Sequence, residues 1–398
     1  MVLGGEALMR EGQHVLANTY ARYPILLVRG KGVKVWDSNG REYLDFVGGL
    51  AVCNLGHCHP KVVQALEEQA RQLIHCSNFY YIGPQVELAR RLCELSFGER
   101  VFFCNSGTEA TEAAIKLARK YSTERYGPER YQIITMENSF HGRTMGALSA
   151  TGQKKFHKGF EPLLPGFTYC PFDDLEAVAG AIGPQTCAVM VEPIQAEGGV
   201  NLPSPDYLKK LRELCDQTGT LLIYDEVQVG MGRTGKLFSY EHYDTPPHIM
   251  TLAKSLANGV PIGALVATDE VAQAFSPGDH ASTFGGNPLA TAVGCCVVDT
   301  LVGDGILENC QEMGGYLLKG LLGLKERYTF IKDVRGKGLI VGCELEFEGK
   351  KIVERCMDKG VLINCTADRV LRFLPPLIVT REEIDLLLKA LDEVFSKR

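Results

Sequence analysis

Short apolar runs separated by amphipathic stretches dominate the first two thirds of the chain. The runs are VFFCN (101–105), QIITM (132–136), AVMVEP (188–193), LLIYDE (221–226), IMTLAK (249–254) and GALVAT (263–268). A strand wetted on one side alternates apolar and polar residues, whereas these runs carry apolar residues on both faces. They therefore predict buried, mainly parallel strands of an open α/β sheet flanked by helices. The stretch after Pro60 brings Val62, Leu66, Leu73 and Ile74 close to one helical face, with proline in the first turn, where its missing N–H costs nothing. A second helix, TEATEAAIKLARKY, comes after Asn105-Ser106-Gly107, and a third starts near Asn287 and Pro288.

VKVWDSNGREYLDFVGG, with Asn39-Gly40 at its centre, reads as a β-hairpin near the amino end. Beyond about residue 290 the pattern changes to helices alternating with short strands and closes on the amphipathic REEIDLLLKALDEVF. We expect three parts: an N-terminal segment (1–50), a large sheet domain (51–290) and a smaller C-terminal α+β domain (291–398).

With 398 residues, 45% of them hydrophobic, the chain can fill more than one core. Its formal charge of -6 arises from 48 acidic and 42 basic residues interleaved along the sequence, which argues against a nucleic-acid or membrane partner. The amino end lacks a basic start with an apolar core behind it, and no apolar run reaches the roughly 18 residues of a spanning helix, so a cytoplasmic protein is expected. The 14 cysteines lie scattered among apolar residues and read as reduced core thiols. Cys53, His57, Cys58 and His59 in CNLGHCHP are of zinc-ligand type, but no second Cys/His cluster accompanies them, so no metal is expected.

Four features carry chemistry. Ser106-Gly107-Thr108 lies where a strand passes into a helix, and a helix start offers free N–H groups to an anion; the S-x-x-E spacing of Ser106 and Glu109 also fits a simple helix cap. Asp225 ends the run LLIYDE at the carboxyl edge of the sheet, where α/β folds bind ligands and where an acid can hold a protonated pyridine nitrogen. Lys254 closes IMTLAK; an amine in an apolar setting loses its charge readily and can form an imine. Gly230-Met231-Gly232-Arg233-Thr234-Gly235 has the G-x-G-x-x-G spacing of a dinucleotide turn, but the next residues, KLFSYEHYD, do not make a long amphipathic helix. A phosphate seat, an acid and an imine-forming lysine together are the parts that pyridoxal 5′-phosphate chemistry requires.

NSGTEATEAAIKLARKY, SFHGRT, EPIQAEGGV, YDEVQVGMGRTG, LAKSLANGVPIGA and STFGGNP resemble, in order and spacing, the motif series of the class-III pyridoxal-phosphate aminotransferases. The likeness runs from TYARYPILLVRG to LRFLPPLIVTREEID. Within the class it is nearest the acetylornithine type, which shares the SNFYY region, FHGRT and the LRF-x-P-x-L ending. The resemblance implies a fold-type-I architecture with the N-terminal segment against the small domain. It implies Ser106, Gly107 and Thr108 at the phosphate, Phe140 and Val227 on opposite faces of the cofactor ring, Asp225 at its nitrogen, Gln228 near its phenolic oxygen and Lys254 at its aldehyde.

The resemblance places Thr283, with Ser282 beside it, at the phosphate of a neighbouring subunit, hence a homodimer with shared active sites. Arg143 would grip a substrate α-carboxylate, Arg372 a carboxylate of 2-oxoglutarate, and Glu197 would mask Arg372 while the amine donor is bound. The implied reaction converts N2-acetyl-L-ornithine and 2-oxoglutarate to N-acetyl-L-glutamate 5-semialdehyde and L-glutamate, a step of arginine biosynthesis. Succinylornithine, N-succinyl-diaminopimelate, ornithine and 4-aminobutyrate stay open as donors, as do a nicotinamide-dependent dehydrogenase and a non-catalytic pyridoxal-phosphate-binding protein. Two departures from the pattern, SLANG after the lysine and the cysteines of CNLGHCHP, bear on substrate preference.

Overall fold

The computed structural model describes residues 4–397, built on three β-sheets. Strands β1 (Leu27–Lys31), β2 (Lys34–Asp37) and β3 (Glu42–Asp45) form an antiparallel meander. The expected hairpin is β2–β3, in register from Lys34 opposite Leu44 to Trp36 opposite Glu42. Its turn closes because Asp37 Oδ1 accepts from the N–H groups of Asn39 (2.9 Å) and Arg41 (3.0 Å), while Gly40 takes a φ of 81° that favours glycine.

The central sheet contains β4 (Arg100–Cys104), β5 (Gln132–Met136), β6 (Phe167–Cys170), β7 (Thr186–Val191), β8 (Leu221–Asp225), β9 (Ile249–Leu252) and β10 (Gly263–Ala267), in the order β4-β10-β9-β8-β7-β5-β6. Only β10 runs against its neighbours. The doubly apolar runs end on both faces of this sheet. Val189, Val191, Leu222, Tyr224, Met250 and Leu252 join one core, and Ala188, Met190, Leu221, Ile223 and Ile249 the other. Helix Gly107–Tyr126 lies against the second face through Ala113, Ala114 and Ala118, whose small side chains permit close approach.

Beyond it come β11 (Ile331–Lys337), β12 (Ile340–Leu345), β13 (Val361–Leu362), β14 (Asn364–Thr366) and β15 (Val370–Phe373). Four of them make a sheet in the order β11-β12-β15-β14, while β13 pairs in parallel with β3, tying the amino-terminal meander to the carboxyl-terminal region.

The helix after Pro60 is shorter than its apolar spacing suggested. It ends at Ala70; Val62 is buried, but Leu73 and Ile74 lie beyond it and are 47% and 56% exposed. Strand β6 was not among the apolar runs, because FTYC is short, half-exposed and at the sheet edge. Lys254 lies two residues past β9 in a 3-10 turn, with φ 44°. A non-glycine residue in that left-handed region carries about 1–3 kcal/mol of strain, held in place by the fold around it. Among the described residues no single helix is long and apolar enough to cross a membrane.

Candidate active site

Parallel strands β5, β7, β8 and β9 all finish at one edge of the central sheet, and the segments after them enclose a cleft of about 370 Å³. Ser106, Gly107, Thr108, Phe140, Arg143, Glu197, Asp225, Val227, Gln228 and Lys254 all line it. Thus ten of the thirteen residues singled out by sequence meet in one place. Arg372 lies just behind the wall, while Ser282 and Thr283 are outside it.

At one end, Ser106 caps helix Gly107–Tyr126: its Oγ accepts from the Glu109 N–H (3.3 Å) and donates to Glu109 Oε2 (2.9 Å). The helix cap and the anion seat thus coexist. The cap leaves the N–H groups of Gly107 and Thr108 without partners among the described residues, as expected for a first turn. A methyl group on Gly107 would sit 2.7 Å from Val227 Cγ1, so glycine lets Val227 close over the helix start.

On the floor, Asp225 is 5% exposed. Its Oδ2 lies 2.7 Å from His141 Nδ1, and its Oδ1 accepts from the Val227 N–H (3.0 Å) and Thr251 Oγ1 (3.3 Å). Burial works against charge on His141, but the hydrogen bond and charge of Asp225 outweigh it and raise its pKa. Beside them Glu192, the residue after β7, receives the N–H groups of Phe140 (3.1 Å) and Ala196 (3.4 Å); burial pushes its pKa up to about 7. Neither His141 nor Glu192 was singled out by sequence. The signal existed for Glu192, which ends an apolar run next to Asp225 on the neighbouring parallel strand.

Lys254 faces this cleft and forms no hydrogen bond or ion pair among the described residues. Burial, resisted by Glu197 and reinforced by Arg372, brings its pKa down to about 8, leaving an appreciable neutral fraction at neutral pH. A buried acid on the floor, an unpartnered amine of lowered basicity and two free N–H groups at a helix start are complementary to a pyridine nitrogen, an aldehyde and a phosphate. The donor set therefore fits pyridoxal 5′-phosphate.

Two arginines serve the cleft differently. Arg143 is exposed, with its guanidinium 4.2 Å from the Phe156 ring centre and 5.3 Å from that of Phe140, and its side chain makes no hydrogen bond among the described residues. Arg372, on β15, is fully buried. Its Nη2 donates to Glu197 Oε1 (2.9 Å) and its Nη1 to Gln228 Oε1 (2.8 Å). Burial raises the Glu197 pKa, but Arg372 and Lys254 together hold it below the usual carboxylate range.

A class-III aminotransferase family model matches residues 15–395. The chain belongs to the class-III aminotransferases. It is 57% identical, over 96% of its own length and 97% of the relative's, to an acetylornithine aminotransferase from Caldanaerobacter subterraneus subsp. tengcongensis. It is 54% identical to one from Methanocaldococcus jannaschii, covering 95% of each. Among solved structures, an ornithine aminotransferase from Toxoplasma gondii superposes with a TM-score of 0.96 at 36% identity, covering 100% of this chain and 96% of that one. An acetylornithine aminotransferase from Elizabethkingia anophelis gives 0.89 at 33% identity, covering 100% of both.

Two loops of the aminotransferase have other tasks than facing the cleft. Ser282 Oγ accepts from Asn105 Nδ2 (3.1 Å) and the Gly285 N–H (3.0 Å), bracing a pocket residue from behind, and Thr283 is exposed. The Gly230–Gly235 turn leads into a four-residue 3-10 turn at Ser239–His242 with no phosphate-facing helix behind it. That removes the structural basis for a dinucleotide site.

Proposed function

We propose that this aminotransferase uses pyridoxal 5′-phosphate to move the terminal amine of N2-acetyl-L-ornithine to 2-oxoglutarate. The observation that carries the reading is the contrast between a bare Arg143 and a masked Arg372 in one cleft. It suits an enzyme that must admit a donor by its α-carboxylate and then an acceptor with two carboxylates. The acetyl group is supported by the names of relatives at 57% and 54% identity.

Pyridoxal phosphate, when bound, supplies an electron-poor ring that delocalises the electron pair left as a proton departs from the substrate carbon. The Gly107 and Thr108 N–H groups and the helix dipole hold its phosphate, with Ser106 fixing the turn. Asp225, steadied by His141, accepts from the ring N–H and favours its protonated form. Phe140 and Val227 would flank the ring, and Gln228 would approach its phenolic oxygen. Lys254 would hold the cofactor's aldehyde through its neutral amine, and its Nζ would be the base and acid that moves the proton of the substrate's amine-bearing carbon. Arg143 orients the donor carboxylate with a planar, two-pronged guanidinium. Arg372 receives a carboxylate of 2-oxoglutarate once Glu197 swings aside.

We also propose a homodimer with shared sites. Phe79, Tyr80 and Tyr81 are 91%, 70% and 99% exposed and Phe284 is 61% exposed, an apolar set that a second subunit would cover while bringing its Thr283 to the phosphate. The parts 1–50, 51–290 and 291–398 are the division we propose for each subunit.

The test is a comparison of amine donors with 2-oxoglutarate, following glutamate formation. N-acetylornithine should exceed ornithine and 4-aminobutyrate in kcat/KM by at least about tenfold, a difference of about 1.4 kcal/mol in transition-state binding. Preference for free ornithine, which the Toxoplasma likeness would favour, overturns the acetylated substrate and leaves the cofactor chemistry standing.

A further inference from the structure

The start of helix Gly107–Tyr126 faces two ways. The main-chain N–H groups of Gly107 and Thr108 are left for an anion, while two side chains of the same helix hold the loop that carries Arg143. Thr108 and Glu112 are four residues apart and so stand on one helix face. Thr108 Oγ1 accepts from the N–H groups of Arg143 (3.1 Å) and Thr144 (3.2 Å) and lies 2.9 Å from Thr144 Oγ1. Glu112 Oε1 accepts from Thr144 Oγ1 (2.5 Å) and from the N–H groups of Gly146 (2.9 Å) and Ala147 (3.1 Å), in the first turn of helix Met145–Ala150.

These contacts fix where the protons lie. A hydroxyl has one proton to donate and two lone pairs that accept. Thr144 gives its proton to Glu112, so the hydrogen bond between the two threonines is donated by Thr108. Thr108 Oγ1 then has its proton and both lone pairs engaged, and nothing of the side chain is left over for a phosphate. Two glycines make room for the arrangement: a Cβ at Gly142 would collide with Thr108 Oγ1, and one at Gly146 with Glu112 Oε2. The segment FHGRTMG thus carries its glycines where these two side chains stand.

We propose, resting on the reading of Arg143 as the grip on the donor's α-carboxylate, that Thr108 and Glu112 are positioning residues that aim Arg143 and so set the preference for α-carboxylate donors. The Thr108 hydroxyl has no part in holding the phosphate. The Arg143 guanidinium rests on two phenylalanine rings and makes no hydrogen bond among the described residues, so the backbone at Arg143 and Thr144 decides where the side chain points. One turn of helix therefore registers the substrate arginine to the cofactor: the main-chain N–H of Thr108 faces the phosphate seat, and its side chain holds the arginine loop.

The experiment compares Thr108→Val, close to threonine in shape and without the hydroxyl, with Thr108→Ser and the wild type, each as holoenzyme. The donors are N-acetylornithine and N-acetyl-1,4-diaminobutane, the same amine without the carboxylate. Thr108→Val should raise the KM for N-acetylornithine at least about fivefold with kcat changed by less than about twofold, the mark of lost uniform binding. The carboxylate-free amine should change by less than about twofold in kcat/KM, and Thr108→Ser should restore wild-type behaviour. Pyridoxal-phosphate retention, read by equilibrium dialysis, should stay within about twofold of wild type, because the main-chain N–H groups survive the change. Thr144→Val, at an exposed position, removes the bridging hydroxyl and should raise the same KM by about two- to fivefold; it decides if Thr108→Val does not fold. Equal losses for the two donors, weakened pyridoxal-phosphate retention in Thr108→Val, or no rescue by serine overturns the proposal. Arg143→Gln, assayed alongside, tells the two readings apart: if it discriminates between the donors and Thr108→Val does not, only the positioning role falls, and if neither discriminates, the α-carboxylate grip falls with it.

Discussion

Replacing Glu197 by glutamine separates masking of Arg372 from ordinary packing. The Glu197 carboxylate meets the buried Arg372 guanidinium at 2.9 Å, and the pair must open before a substrate carboxylate can take its place. A hydrogen bond to a charged group contributes about 1.5–3 kcal/mol net. At about 1.4 kcal/mol per factor of ten, the mask lowers affinity for a competing carboxylate by about 10- to 100-fold. Glutamine keeps the volume and a neutral acceptor, and Gln228 Oε1 still holds Nη1, so the change removes the charge with little change in shape. The KM for 2-oxoglutarate should therefore fall about tenfold or more. N-acetylornithine should suffer, because an uncovered Arg372 captures its carboxylate with the reacting carbon misplaced. Each half-reaction is monitored separately by stopped-flow visible absorbance, taking the ratio of kcat/KM for glutamate to that for N-acetylornithine as donors. The ratio should rise by about 10- to 100-fold. A change of less than about threefold, in a variant with unaltered circular dichroism and Tm, would refute the masking role and leave the ion pair as simple structure.

Three further outcomes are expected from other parts of the cleft. Gly107→Ala puts a methyl group 2.7 Å from Val227 Cγ1 and should weaken pyridoxal-phosphate retention by about tenfold or more, with Gly107→Ala/Val227→Ala recovering most of it; equilibrium dialysis of both proteins decides whether the effect is this contact. Capture of pyridoxal phosphate by the apoprotein should accelerate about fivefold from pH 7 to 8 and less than about twofold from pH 8 to 9, as Lys254 loses its proton around its lowered pKa of about 8; a rate still climbing steeply above pH 9 contradicts the lowering. Glu192, raised to about 7, binds a proton when folded and releases it when unfolded between about pH 4.5 and 7, so its burial lowers stability as pH rises through that window. Glu192→Gln should reduce the loss of unfolding free energy between pH 5 and 8 by on the order of 3 kcal/mol, measured by urea titration; an unchanged difference contradicts the shift.

The central strands were legible because burial on both faces leaves no polar alternation, and all six of those runs end within two residues of the strands they predict. Lys254 and Asp225 were legible because a charged residue that closes an apolar run has one edge of a sheet on which to stand. Edge strand β6 was not, since its four residues are half-exposed, and the strands β11–β15 were expected only as a pattern, since segments of two to seven residues carry too little period to place singly. Leu73 and Ile74 misled because helical spacing persists past the point where the chain turns at Arg71. His141 escaped for a different reason: its ring nitrogen meets Asp225 across 84 positions of sequence, and no local period encodes a contact between the end of β5 and the end of β8.

The same limit explains why two arginines of one chemistry read alike in sequence but differ in the fold. Arg372 sits on a strand paired on both sides, by β12 and β14, so its guanidinium enters the interior and requires Glu197 and Gln228 as partners. Arg143 comes at the end of a loop and lies over two phenylalanine rings, which stabilise its charge without using its N–H groups. A guanidinium with unused donors binds the first carboxylate that arrives, whereas one already paired binds only a carboxylate that displaces its partner. On the proposed roles, exchanging the surroundings of these arginines, more than their identities, is what would alter substrate choice.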